Sequence, residues 1–141
     1  MRTPRSCLFV LPLVALAGLC PPAVGADDHP AVALVKSKVK DPAKPFALFV
    51  TIKAKAGKER ELEAAFAPCI AATKKEAGCL AYELNRDPDE PTTYVMFEKF
   101  KNLAALEAHL KQEHTAKLFK AIEPLTDGEI KAKVYTVPEE E

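Results

Sequence analysis

The 141 residues contain no tryptophan, and two of the four cysteines, Cys7 and Cys20, fall within the first 20 positions. Any flat aromatic lining must therefore come from tyrosine or phenylalanine. Neither a Cys-x-x-Cys pair nor a His-x-x-x-His pair occurs, so no familiar metal-ligand spacing is present and no metal is expected. The charge has no bias: 20 basic residues meet 20 acidic ones. The charges are interspersed, and no basic stripe is backed by stacking aromatics, which argues against nucleic-acid binding. After the first 26 residues no apolar run approaches the ~20 residues a membrane helix needs.

Those first residues form a unit of their own. Arg2 and Arg5 make a basic start, Cys7 to Cys20 is uncharged and mostly apolar, and Ala23-Val24-Gly25-Ala26 offers small residues to a signal peptidase. The pattern predicts a signal peptide over 1–26, cleaved after Gly25 or Ala26, and a secreted or periplasmic protein with no membrane contact after cleavage. An uncleaved anchor is the alternative. Acylation at Cys20 is disfavoured by the bulky Leu19 before it. The leader takes two basic residues and no acidic one, so the remaining 115 residues are two charges negative. That length suits one domain with one core. Cys69 and Cys79 remain, and two buried free thiols are expected rather than a strained bridge.

Residues 27–45, broken by Pro30, Pro42 and Pro45, read as a linker with an exposed His29 and an apolar patch from Ala31 to Val35. A domain over 46–137 follows, with an acidic tail at 138–141. Phe46, Leu48, Val50, Ile52 and Ala54 alternate as in a strand. Leu62, Ala65, Phe66, Cys69, Ile70 and Thr73 mark the buried stripe of a helix from about 58 to 76, with Pro68 inside it and Gly78 placed to end it in a left-handed cap. Strands are expected at 80–86 and 93–100, joined by the turn Asp87-Pro88-Asp89-Glu90-Pro91. A helix starting at Lys101 or Asn102 buries Leu103, Leu106 and Leu110; a further piece runs from 113 to 122. The last strand covers 129–137. The order β-α-β-β-α-β is that of an α+β, ferredoxin-like fold. Its helices cover one sheet face, while apolar residues point to both, so a second copy is expected to cover the other as a homodimer.

Gly57-Lys58-Glu59, Glu76-x-Gly78-Cys79-x-x-Tyr82, Phe97-Glu98-x-Phe100 and Leu106-x-x-His109 followed by His114 together resemble the antibiotic biosynthesis monooxygenase domain, and its small quinol monooxygenases in particular. The resemblance spans about residues 46–137. It implies a dimeric α+β barrel and oxygenation of electron-rich aromatics by dioxygen with no cofactor: no metal, flavin or haem. Many members carry Glu-x-Trp where this chain has Glu98-Lys99-Phe100. Members that use an Asn and Trp pair, or that degrade haem with Asn, Trp and His, are poorly matched.

Such chemistry needs a base near neutral pH and a dry pocket around the resulting anion. Histidine is the natural base. His109, at the edge of an apolar stripe, is the leading catalytic candidate at a pocket rim, with His114 pointing inward beside it. For each, a structural histidine at a helix end is the alternative. Glu98, set among apolar neighbours, needs a partner and would orient the base, hydrogen-bond substrate or form a structural salt bridge. Tyr82, Tyr94, Phe97 and Phe100 are candidates to line the pocket, with plain core packing as the alternative. Glu76 reads as structural, paired near a helix end. The expected function is a monooxygenase for a small quinol or other aromatic substrate; the alternatives are a dimeric module that binds a small apolar ligand without turnover, and a purely structural domain.

Overall fold

The computed structural model describes residues 29–138, so the expected leader and the final glutamates lie outside the described residues. The described elements are α1 (Pro30–Lys38), β1 (Phe46–Lys53), α2 (Glu59–Thr73), β2 (Cys79–Arg86), β3 (Thr93–Phe100), α3 (Leu103–Leu110), α4 (Glu113–Ile122), a 3-10 turn (Glu123–Leu125) and β4 (Lys131–Thr136). The strands form one antiparallel sheet in the order β2-β3-β1-β4. This is the ferredoxin-like α+β arrangement, and the two central strands are the first and third of the chain.

Side-chain alternation divides the sheet into two unlike faces. Phe46, Leu48 and Ile52 of β1, Tyr94, Met96 and Phe100 of β3, and Tyr82 of β2 are buried beneath the helices. Leu62, Phe66 and Cys69 of α2, Leu103 and Leu106 of α3, and Leu118 and Ile122 of α4 complete that core. Removing each large apolar side chain from water contributes about 1.5–3 kcal/mol before chain entropy is subtracted.

The opposite face carries Phe49, Phe97 and Tyr135. Phe49 stands 5.0 Å, centroid to centroid, from each of the other two rings. Phe49 is 38% exposed and Tyr135 51% exposed, so nothing among the described residues covers this patch.

Three sequence expectations change here. Residues 30–38, expected within a linker, form α1, whose Val32 and Val35 are completely buried against the same core. Two valines three apart sufficed because α1 packs over both α3 and β4. His29 is half-buried rather than exposed; its Nδ1 accepts the Ala31 N–H at 3.2 Å and so caps α1. Gly78 is not left-handed, since among the described residues only Gly57 and Gly128 have positive φ. Its lack of a side chain serves close packing against α3 instead.

Loop chemistry follows familiar rules. Asp87 Oδ1 accepts the N–H groups of Asp89 and Glu90 at 2.8 and 3.1 Å, closing the β2–β3 turn. Asn102 caps α3 through Ala105 N–H at 2.9 Å.

Candidate functional site

Three elements converge at one end of the helical layer. Glu76 lies in the turn between α2 and β2, His109 in the last turn of α3, and His114 in the first turn of α4. The corner between α3 and α4 is held tightly. The carbonyl of His109 accepts the Gln112 N–H at 3.1 Å and the buried Thr115 hydroxyl at 2.8 Å.

A single oxygen of Glu76, Oε1, stands 3.0 Å from His109 Nδ1 and 2.7 Å from His114 Nε2. The carboxylate oxygen accepts, so each imidazole donates an N–H and keeps its lone pair on the far nitrogen. Those lone pairs sit on His109 Nε2 and His114 Nδ1. The paired orientation resembles the way a carboxylate fixes a catalytic imidazole in its useful tautomer.

The two histidines differ in exposure. His109 is 2% exposed and packed between the Tyr82 and Phe100 rings, at 5.2 and 5.3 Å. Burial holds its pKa below the ordinary histidine value; the Glu76 bond opposes this and nearby His114 adds to it. His114, with about a quarter of its side chain exposed, forms part of the wall of a cavity of about 220 Å³ between α2 and α4. Ala65, Pro68, Cys69, Leu118 and Ala121 make most of that wall apolar, and Lys117 completes it. The base candidate that reaches an open space is thus His114, while His109 is sealed behind it rather than set at a rim.

Cys69 connects the cavity to the sheet. Its Sγ lies 3.7 Å from Thr73 Oγ1 and 4.0 Å from the Tyr82 hydroxyl. Burial pushes both the Cys69 and Cys79 thiols up, so neither is an activated nucleophile, and both are free. Burial, with Glu98 nearby, also pushes the Tyr82 phenol strongly up and keeps it protonated.

Glu98 pairs in register with Tyr82 on one side and Leu48 on the other, on the helix-covered face. Burial pushes its carboxyl up to about 8. Among the described residues it makes no hydrogen bond or ion pair, so the salt bridge expected for it is missing. Burial thus disfavours its ionised form.

The remaining candidates separate. Phe100 and Tyr82 flank His109. Tyr94 lies farther along β3, with its hydroxyl on Glu63 Oε1 at 2.7 Å and Arg86 5.7 Å from its ring centre. Phe97 is on the outer face, away from both histidines, because it alternates with Glu98 and Met96. Glu76 is the residue whose role the sequence understated. Its place just beyond a helix end, before Gly78-Cys79, fits a structural pair equally well, and only the fold brings it to both rings. His29 also approaches: its ring stacks on Phe119 at 5.6 Å, and burial together with the charge of His109 lowers its pKa.

Comparison with known proteins supports the fold and places the chain. The sequence model for "Antibiotic biosynthesis monooxygenase" matches residues 45–121. A solved Shewanella oneidensis protein is 32% identical, covering 66% of this chain and 90% of that one, with a TM-score of 0.61. A Caulobacter crescentus structure, provisionally named an antibiotic biosynthesis monooxygenase, is 25% identical over 70% of this chain and 93% of its own, with a TM-score of 0.67. A Synechocystis protein is 27% identical over 101 residues, 72% of this chain and 69% of its own length. The chain belongs to the antibiotic biosynthesis monooxygenase family.

Proposed function

We propose that this protein is a cofactor-independent monooxygenase for a small quinol or similar electron-rich aromatic, with His114 as the base and Glu76 and His109 as its support. The observation that carries this is the shared Glu76 oxygen, which holds His114 Nε2–H while the ring lines a mostly apolar cavity, so Nδ1 is the nitrogen left to accept a proton. His114 Nδ1 takes a phenolic proton. The resulting anion transfers an electron to dioxygen more readily than the neutral phenol. One oxygen atom enters the ring and the other leaves as water, and the substrate supplies all four electrons. The apolar walls keep water from stabilising the anion and slowing that transfer.

Oxygen uptake with a panel of hydroquinones tests the proposal. Uptake above background that falls at least ~100-fold in His114→Ala and His109→Ala supports it, in line with the usual worth of a general base. No uptake, with an aromatic ligand still raising the melting temperature, identifies a binding module instead.

Family members are often dimeric. The proposed assembly is a homodimer through the face of Phe49, Phe97 and Tyr135, whose exposure favours it. Among the described residues no helix is long and apolar enough to cross a membrane. Export is proposed from residues 1–26; amino-terminal sequencing of protein recovered from outside the cytoplasm should start near Ala26 or Asp27.

A further inference from the structure

We propose that Glu76, His109 and His114 also form a site for one divalent ion of the zinc, cobalt or nickel type, and that the ion switches the base off. Two imidazole nitrogens and one carboxylate oxygen suit these borderline metals, whereas magnesium and calcium prefer all-oxygen sites. His109 Nδ1, His114 Nε2 and a Glu76 carboxylate oxygen all lie within 4.8 Å of one another. The two nitrogen-to-Oε1 separations are 3.0 and 2.7 Å. Tetrahedral metal bonds of about 2.1 Å place neighbouring ligands about 3.4 Å apart, so both pairs would open by well under 1 Å to admit the ion.

The cluster is not a set of solvated surface acids. His109 is 2% exposed and Glu76 has 16% of its side chain exposed. The ligands come from three elements, and the α3–α4 corner is fixed through Thr115 and Gln112. Three protein ligands leave coordination positions open for water or an added ligand. His114, with 24% of its side chain exposed, is the point of access.

The switch follows from the atoms. A metal on His114 Nε2 displaces the hydrogen bond to Glu76 and forces the ring proton onto Nδ1. That is the atom the proposed base uses, and once protonated it accepts nothing. Metal occupancy and proton abstraction are therefore mutually exclusive.

Cobalt(II) titration of the full chain, followed by visible absorption, tests the site without reference to catalysis. The expected result is one ion per chain, with affinity falling at least ~10-fold in Glu76→Ala and in His114→Ala. Glu113→Gln, next to His114 but fully outside the cluster, should bind as the parent does. Circular dichroism establishes folding of each variant, and His114→Gln, at the most exposed ligand, serves if Glu76→Ala does not fold. No cobalt bands at millimolar metal, or bands unchanged in the variants, would overturn the site. The second arm rests on the proposed base: excess Zn²⁺ should abolish oxygen uptake with hydroquinones, and a chelator should restore it. Cobalt bands alongside zinc-insensitive uptake would overturn the switch and leave the metal site standing.

Discussion

Gly78 lies so close to Ala105 that a Cβ at position 78 would sit 2.3 Å from the Ala105 Cβ. The contact joins the turn that carries Glu76 to the helix that carries His109. The Gly78 carbonyl also accepts the Lys101 N–H at 3.0 Å, tying the end of β3 to the same point. A side chain here would push α3 away from the turn. Gly78→Ala is expected to cost about 1–3 kcal/mol, as overpacking does. Ala105→Gly in the same chain should return part of it. Denaturant unfolding of the two variants checks this, and an unchanged midpoint for Gly78→Ala would show that α3 yields freely.

Glu98 predicts an alkaline loss of stability. Its folded pKa, about 8, lies above the ordinary value of 4.5, so the folded state holds the proton more tightly. The contribution is full below 4.5 and is lost as pH rises through about 8. Glu98→Gln should therefore unfold at a more nearly constant temperature between pH 5 and 9 than the parent. Equal slopes for both chains would contradict a raised carboxyl pKa at this position.

His109 and His29 act at the other end. Burial holds both below the ordinary value of 6.5. Their stabilisation is present above 6.5 and lost as pH falls through their folded values. Replacing His109 with Gln should shrink the fall in melting temperature on the acid side; an undiminished fall would assign it to other groups.

Thr115 is the latch of the α3–α4 corner. Thr115→Val keeps the shape and removes the hydroxyl that satisfies the His109 carbonyl. A buried acceptor left with one fewer donor costs about 1–3 kcal/mol. The expected result is a folded, less stable chain whose oxygen uptake falls as His109 and His114 lose their fixed spacing. Unfolding and uptake measured on one preparation check both parts.

The order of helices and strands along the chain is legible because period-2 and period-3.6 patterns are local. Thr93–Phe100 and Glu113–Ile122 match their sequence expectations at both ends. α1 was hidden because its apolar face has only Val32 and Val35, and prolines flank the segment. The close-packing role of Gly78 is not legible because a helix-ending glycine and a close-packing glycine look alike in sequence. The pocket expectation joins Phe97 to Glu98 one residue away, whereas strand alternation sends the two to opposite faces. The histidines were visible as residue types, but their shared partner was not, since Glu76 is 33 and 38 residues away from them.

Phe97 is instead a test of assembly. Phe97→Glu puts a charge in the aromatic patch with Phe49 and leaves the helix-covered core untouched. Sedimentation at micromolar concentration should show a dimer for the parent and a folded monomer for the variant. A parent that sediments as a monomer would refute the proposed interface.

The most direct test of the proposed chemistry is the absorption spectrum of a hydroquinone bound without oxygen at pH 7. The parent chain should show the bound aryloxide anion, and His114→Ala should bind the same compound as the neutral phenol. Identical spectra from the two chains, or a neutral ligand in the parent, would contradict His114 as the base.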